Sequence, residues 1–290
     1  IRPVVGYLSG GYRCLRRYRR RGMPNVLLLY GEPNVENVWF LICARLLGYR
    51  VLCDIVEDCF LIPANPSLAS RLKAWSGQWA TRNIALFADG VIVISSFLKN
   101  KLESIVKGRR PVALLPVSVD LPAVPAIAGG SFHEPVRVLY AGSFGDKDGV
   151  EILIAGFDLV AHRWPSAELI MTGRGSTGRM TAVRRRMADS PFSDRIHYLG
   201  FLSDEEYYRV VAGCDVACVV RVQSEFAERG FPFKLGEYLA SGRPVVTSRV
   251  GDVTEYLKDR VNAVLVEPGS ATGIAAALEY LFEDEQRALA

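Results

Sequence analysis

The 290-residue chain is half hydrophobic and 23% charged, enough apolar material for one large or two medium cores, and this excludes general disorder. Its 35 basic and 31 acidic side chains leave a net +4, yet seven arginines and no acid fall within residues 1–21, so the remainder carries −3. That distribution argues against a nucleic-acid partner, whose binder would spread cations along a face, and no run approaches the roughly 18–20 apolar residues of a membrane span.

In chain order, the basic segment GYRCLRRYRRRGMPN can be drawn as a short helix with Cys14, Leu15 and Tyr18 inward and its arginines outward. Arg13–Arg21 would then form either a solvated face or a patch for an anionic membrane surface, where each arginine contributes about 1 kcal/mol. Arg184, Arg185 and Arg186 invite the same two readings. Short β-branched runs predict strands at 25–31, 50–55, 89–95 and 111–117, and helical stretches lie near 35–47, 67–87 and 96–107, the last with Ser95 and Ser96 as candidate caps.

From Leu121 to Pro135 the chain reads LPAVPAIAGGSFHEP, without periodicity and rich in proline and glycine, as an interdomain linker does. Alternation then restarts, with strands at 136–142, 167–173, 195–200, 215–220, 244–248 and 263–268. Helices are expected near 149–162, 179–189, 203–213, 232–241, 252–258 and 271–283. Strands apolar on both faces and joined by helices predict an α/β chain of two doubly wound parallel sheets, divided into residues 1–127 and 128–290. Ligands of such sheets sit at the carboxyl ends of the strands.

Six scattered cysteines without a C-x-x-C pair read as buried thiols of a reducing compartment, which points to a cytoplasmic location. His133, His162 and His197 are isolated, so no zinc site is expected. Neither half carries G-x-G-x-x-G after a first strand, which disfavours a nicotinamide oxidoreductase.

The segment ERGFPFKLGEYLASGRPVVTS, residues 228–248, carries the most chemistry. Pro232 suits a helix's first turn and Gly242 its left-handed end, giving a helix of about ten residues. Free amides and the positive dipole end at its start, with Lys234 in the first turn, make an anion site. Glu237, three residues on, shares that face and can accept two hydroxyl hydrogen bonds. Together these suit a nucleoside diphosphate and its ribose; a surface Lys–Glu pair is the plain alternative.

Residues 230–246 resemble, almost position for position, the GFP-x-K-L-x-E-Y-L-A-x-G-x-P-V-V motif of the retaining GT-B glycosyltransferases of the family-4 type (glycosyl transferases group 1), especially those of capsular or exopolysaccharide assembly. VLYAGSFGDKDGVEILIAGF, IHYLGFLSDEEYYRVVAGCDV and GDVTEYLKDRVNAVLVEPGS extend the likeness over residues 136–283. In the first half, CDIVED and DGVIVISSFLKNKL are similar pieces.

The resemblance implies a GT-B fold, two Rossmann-like domains facing a cleft, the first incomplete because members begin with a strand and glycine-rich loop ahead of residue 1. The FEDEQRALA end resembles the start of a helix crossing back onto the first domain. Implied too is transfer of a hexose-type sugar from a nucleoside diphosphate sugar to a glycan or lipid-linked acceptor with retention and without a metal or other cofactor. By resemblance Glu237 binds the donor ribose, Lys234 and the amides of Phe233 to Leu235 hold the diphosphate, and Phe231 and Pro232 line the sugar pocket. Gly142 and Ser143 belong to the glycine loop. Arg221 matches a frequent arginine and is either a second phosphate cation or an exposed strand-end residue.

The chain departs from the pattern at three places. The family's first motif glutamate falls on Arg229, with Glu228 displaced by one; its usual threonine is Phe233; and its loop arginine and lysine are Ser143 and Asp148. Lys147 is then either a phosphate ligand or a solvated loop lysine. Asp146 and Asp148 form a D-x-D pair, which binds metals in another fold, whereas here it lies in the glycine loop of a metal-free family. Glu57, beside Asp54 and Asp58 past a strand end, is the candidate catalytic or acceptor-binding carboxylate, with helix capping as the alternative. A non-catalytic partner of a glycosyltransferase, or an epimerase or hydrolase of the same fold, are the competing functions. Peripheral attachment to the inner face of the cell membrane is expected if the arginines meet lipid.

Overall fold

The structure, a computed structural model, describes residues 2–61, 67–121, 124, 131–285 and 288, with side chains described from residue 10 onward. The chain divides into two compact units, Ile1–Pro116 and Val117–Ala290. The expected boundary at 127/128 falls outside the described residues, as does much of the proline-rich stretch around it.

In the first unit, β1 (Asn25–Tyr30), β2 (Tyr49–Ile55), β3 (Gly90–Val93) and β4 (Val112–Leu114) form one parallel sheet in that order. Parallel neighbours require crossovers, supplied by α2 (Val35–Leu46), by α3 (Leu68–Arg82) with α4 (Ile84–Phe87), and by α5 (Ser96–Val106). Short polar side chains start the longer ones: Asn34, Ser67 and Ser95 accept from the amides of Asn37, Ser70 and Leu98. The helix expected over 67–87 is two, because Asn83 leaves helical geometry (φ −105°, ψ 11°) and its amide side chain donates to Trp79 O at 2.8 Å.

The arginine-rich segment belongs to a longer helix, α1 (Arg2–Tyr18). Only part of its expected packing holds. Leu15 is buried and its carbonyl accepts from Tyr49 Oη at 2.8 Å, but Cys14 and Tyr18 are exposed, and Arg19–Arg21 lie beyond the helix end.

In the second unit six parallel strands run β10-β9-β8-β5-β6-β7. They are β5 (Arg137–Ser143), β6 (Glu168–Arg174), β7 (Ile196–Tyr198), β8 (Val216–Val219), β9 (Val245–Ser248) and β10 (Val264–Val266). The helices are α6 (Val150–Arg163), α7 (Thr177–Ala188), α8 (Asp204–Ala212), α9 (Glu225–Arg229), α10 (Phe233–Ala240), α11 (Val253–Tyr256) and α12 (Ala271–Phe282). Five-residue α9 was not foreseen, since it is too short to show a helical period; Ser224 caps it through the Ala227 amide.

Alternation along β5 builds two cores. Val138 and Tyr140 face a cluster with Leu153, Phe157 and Leu278, whereas Leu139 and Ala141 face Val211, Leu235 and Tyr238. The chain winds outward from β5 to β7, then returns to β8 on the other side of β5. The order of strand addition therefore reverses at β5/β8, and the crevice beyond the strand ends at such a point is where a sheet of this kind takes a ligand.

Candidate functional site

The C-terminal ends of β5 and β6 border a cavity of about 260 Å³ in the second unit. Gly142 and Ser143 supply one wall, Thr172, Gly173 and Arg174 another, and Phe201 with Leu202 an apolar rim. Asp204 and Tyr207 of α8 and Lys234 of α10 close it. The cavity thus combines apolar side chains with the cations Arg174 and Lys234 and the carboxylate of Asp204.

Helix α10 is fixed before it offers any functional group. Buried Tyr238 Oη accepts from Ala141 N at 2.8 Å and donates to Ala141 O at 3.3 Å, pinning the helix to the strand that carries Gly142. Pro232 caps the helix start without a side-chain bond, and Gly242, at φ +73°, turns the chain after Ser241. The helix between them is eight residues long, close to the length expected from sequence.

Lys234 and Glu237 emerge one turn apart. Lys234 Nζ donates to Glu237 Oε2 at 2.9 Å and stands 3.9 Å from the centre of the Tyr207 ring. Tyr207 Oη donates to the same Oε2 at 2.5 Å. Burial, with neighbouring Tyr238 and the bonded Glu237, raises the Tyr207 phenol far above its ordinary value, so it stays protonated and donates. Two donors on one oxygen hold the carboxylate at a set angle and leave Oε1 for another donor. The ammonium, held by a charge and a ring face, keeps N–H groups for a further anion.

Tyr207 was missed by the sequence reading. The signal that locates it is the Ser203/Glu206 capping box: Ser203 Oγ accepts from the Glu206 amide while Glu206 accepts from the Ser203 amide. That start places Tyr207 on the first turn of α8. Arg174 and Phe201 were also missed; the guanidinium lies 4.4 Å from the Phe201 ring centre at the cavity rim.

The glycine loop between β5 and α6 is closed by Asp148, whose Oδ2 accepts from Ser143 Oγ at 2.6 Å and Gly145 N at 3.0 Å. Asp148 also pairs with Arg221 in an isolated antiparallel bridge. Arg221 is buried, not an exposed strand-end residue; burial lowers its guanidinium from the usual value and the Asp148 charge opposes that. Its amide donates to Ser248 Oγ at 2.9 Å, so it braces the loop from behind. Lys147 is partly exposed and its carbonyl accepts from Val222 N at 3.1 Å. Asp146 is exposed and lies 3.4 Å from Arg179, so the two carboxylates of the D-x-D pair have separate partners. Among the described residues no three metal-ligating side chains cluster.

Other expected site residues sit around this core. Glu228 accepts from Gly251 N at 2.9 Å and Gln223 Nε2 at 3.0 Å, tying α9 to the loop after β9. Arg229, where the family motif has glutamate, lies 3.0 Å from Glu225. Phe231 meets Tyr256 edge-on at 5.6 Å, Phe233 is exposed, and the Leu235 side chain is in the core while its amide donates to Pro232 O.

In the first unit Glu57 is exposed, two residues past β2. Its neighbours correct the sequence reading. Asp54 lies within β2 rather than past its end, and burial raises its carboxyl above the ordinary value. Asp58 is occupied by Lys101 Nζ at 2.6 and 2.9 Å, a buried structural pair.

Residues 135–284 match the family described as Glycosyl transferases group 1. The amylovoran biosynthesis glycosyltransferase AmsK of Erwinia amylovora is 25% identical over 156 residues, 53% of this chain and 38% of that protein. The phosphatidyl-myo-inositol mannosyltransferase of Mycolicibacterium smegmatis is 28% identical over 155 residues, again 53% and 38%. A GDP-mannose-dependent alpha-(1-6)-phosphatidylinositol monomannoside mannosyltransferase of Mycobacterium tuberculosis is 23% identical across 97% of this chain and 77% of its own length. The chain thus spans about two fifths of the first two relatives. Among solved structures, Anabaena HepE in complex with UDP and glucose superposes with a TM-score of 0.72 at 17% identity, covering 97% of this chain and 73% of HepE. The two parallel sheets are those of a GT-B fold, and the chain belongs to the glycosyl transferases group 1 family.

Proposed function

We propose that the protein is a retaining glycosyltransferase that moves a sugar from a nucleoside diphosphate sugar to an acceptor hydroxyl in cell-surface polysaccharide or glycolipid synthesis. The observation that carries this reading is the convergence of Lys234, Glu237 and Tyr207 beside a cavity at the C-terminal ends of β5 and β6. Glu237 Oε1 would accept the ribose hydroxyls, and Lys234 with the first amides of α10 would meet the diphosphate. Gly142 and Ser143 let the backbone approach it, Lys147 adds a cation, and Arg221 holds the loop. Phe201 and Leu202 offer the base an apolar rim.

Transfer is then driven by stabilising charge on the departing diphosphate with fixed cations and amides, and by orienting donor and acceptor. Glu57 is the carboxylate proposed to orient or deprotonate the acceptor. Because the chain's own cations do this work, chelators should leave donor binding unchanged. Arg13–Arg21 would bring the enzyme to an anionic membrane carrying a lipid-linked acceptor on the cytoplasmic side.

Calorimetric titration with UDP-, GDP- and dTDP-sugars tests the reading: one series should bind, and silence from all three would sink it. Arg229, engaged with Glu225 where the motif has glutamate, favours a second reading as a non-catalytic partner. That reading predicts donor binding without transfer or hydrolysis; an epimerase or hydrolase would turn the donor over with no acceptor present.

Tyr207→Phe keeps the ring against Lys234 and removes only the bond to Glu237. Donor affinity should fall about tenfold, the equivalent of one charge-assisted hydrogen bond. Unchanged affinity in the same titration would show that the carboxylate orients itself without the phenol.

A further inference from the structure

Arg243 is a buried cation that the donor site does not use. It is 7% exposed, its Nε is enclosed without a hydrogen-bond partner, and its Nη atoms, which reach solvent, bond no described residue either. It follows the end of α10, just after Gly242 turns the chain toward β9, and its backbone amide donates to Ser241 Oγ at 3.4 Å. A guanidinium held this deep without an anion is costly, because burial removes water that the fold has not replaced.

A second arginine without an acid stands across β8. Arg137 opens β5, two residues before Leu139, and therefore shares the face of the sheet that α8 and α10 cover. Its Nη1 donates to Gly213 O at 3.4 Å, at the end of α8. Arg243 acts on the next residue of that loop from the β9 side: burial raises the Cys214 thiol to about 12, and the Arg243 charge opposes the rise. Because β8 lies between β5 and β9, the two guanidiniums flank its start.

The groups nearby are already engaged. Asp215 Oδ1 accepts from the backbone amide of His133 at 3.0 Å and lies 2.6 Å from its Nδ1, while Oδ2 accepts from the Arg137 amide at 2.7 Å. Val211 O takes Cys214 Sγ and Tyr238 O takes Ser241 Oγ, so these helix-end carbonyls, which favour a cation, already have donors. Among the described residues neither guanidinium has a carboxylate within ion-pair distance.

We propose that Arg137 and Arg243 form a second anion site, for a small tetrahedral oxyanion of the phosphate class, at the amino ends of β5, β8 and β9. Two guanidiniums offer such an oxyanion paired N–H donors. The site stands at the opposite end of β5 from the donor cavity, about 20 Å away along the strand, and is independent of the donor reading. An anion there ties to the sheet the ends of α8 and α10, the helices that carry Tyr207, Lys234 and Glu237.

Thermal denaturation of the full chain in inorganic phosphate, against chloride of equal ionic strength, tests it. With phosphate at about ten times its dissociation constant the wild-type midpoint should rise by about 3–6 °C. Arg137→Gln with Arg243→Gln should remove that rise, with folding confirmed by circular dichroism. A rise that survives in the pair is a general salt effect, and one lost in Lys234→Gln belongs to the donor site; either result overturns the proposal. Selenate diffused into crystals of the wild type gives a location that needs no variant. Anomalous density between Arg137 and Arg243 is expected, and density confined to Lys234, or none, would overturn the assignment.

Discussion

Glu237→Ala is expected to weaken nucleotide-sugar binding by about a hundredfold or more, beyond what calorimetry readily detects. In the proposed role the carboxylate accepts the ribose hydroxyls, and two charge-assisted hydrogen bonds of about 1.5 kcal/mol each make up that factor. The same substitution strips Tyr207 Oη and Lys234 Nζ of their shared acceptor. Lys234 is partly exposed and can turn to water, but the more buried phenol loses its partner, so stability should fall by about 1–2 kcal/mol. For a unit of this size that is a drop of roughly 3–6 °C in melting temperature. Complete unfolding would make Glu237 a structural residue; undiminished binding would remove it from the site.

Gly173→Ala should be the most damaging single methyl in the second unit. Gly173 sits in β6 at φ +135°, beside Gly142 of β5, and a Cβ there would stand 1.7 Å from Gly142 O. No side-chain rearrangement relieves an overlap with backbone, so β6 must move from β5 where both wall the cavity. A cost of about 3 kcal/mol or more follows from the dihedral strain and forced displacement, on the order of 10 °C in melting temperature. Nucleotide binding should be lost with it. Thermal denaturation near the wild-type midpoint would show that the two strand ends can separate freely.

How much of this was legible in advance differs by element. The parallel strands were, because strands covered on both faces are apolar runs, as VACV is; NVLLLY is as apolar, although Val26, Leu28 and Tyr30 on one face of β1 are exposed. The start of α10 and its turn at Gly242 were, because proline and glycine impose backbone geometry whatever surrounds them. Asp54, Glu57 and Asp58 show the limit. Three acids in five residues look alike in sequence, yet one lies in the strand, one is exposed and one is neutralised by Lys101, 43 positions away.

The amino-acid sequence by itself determined the α/β class, nearly every strand and helix, and the motif carrying Lys234 and Glu237, since these follow from local periodicity and from residues adjacent along the chain. Only the tertiary structure decided that Tyr207 shares an oxygen of Glu237 with Lys234, that Arg221 is buried beside Asp148, and that Arg137 and Arg243 flank the start of β8. Each of those depends on which faces are covered once strands far apart in sequence pair, and a one-dimensional pattern holds no record of what lies across the sheet.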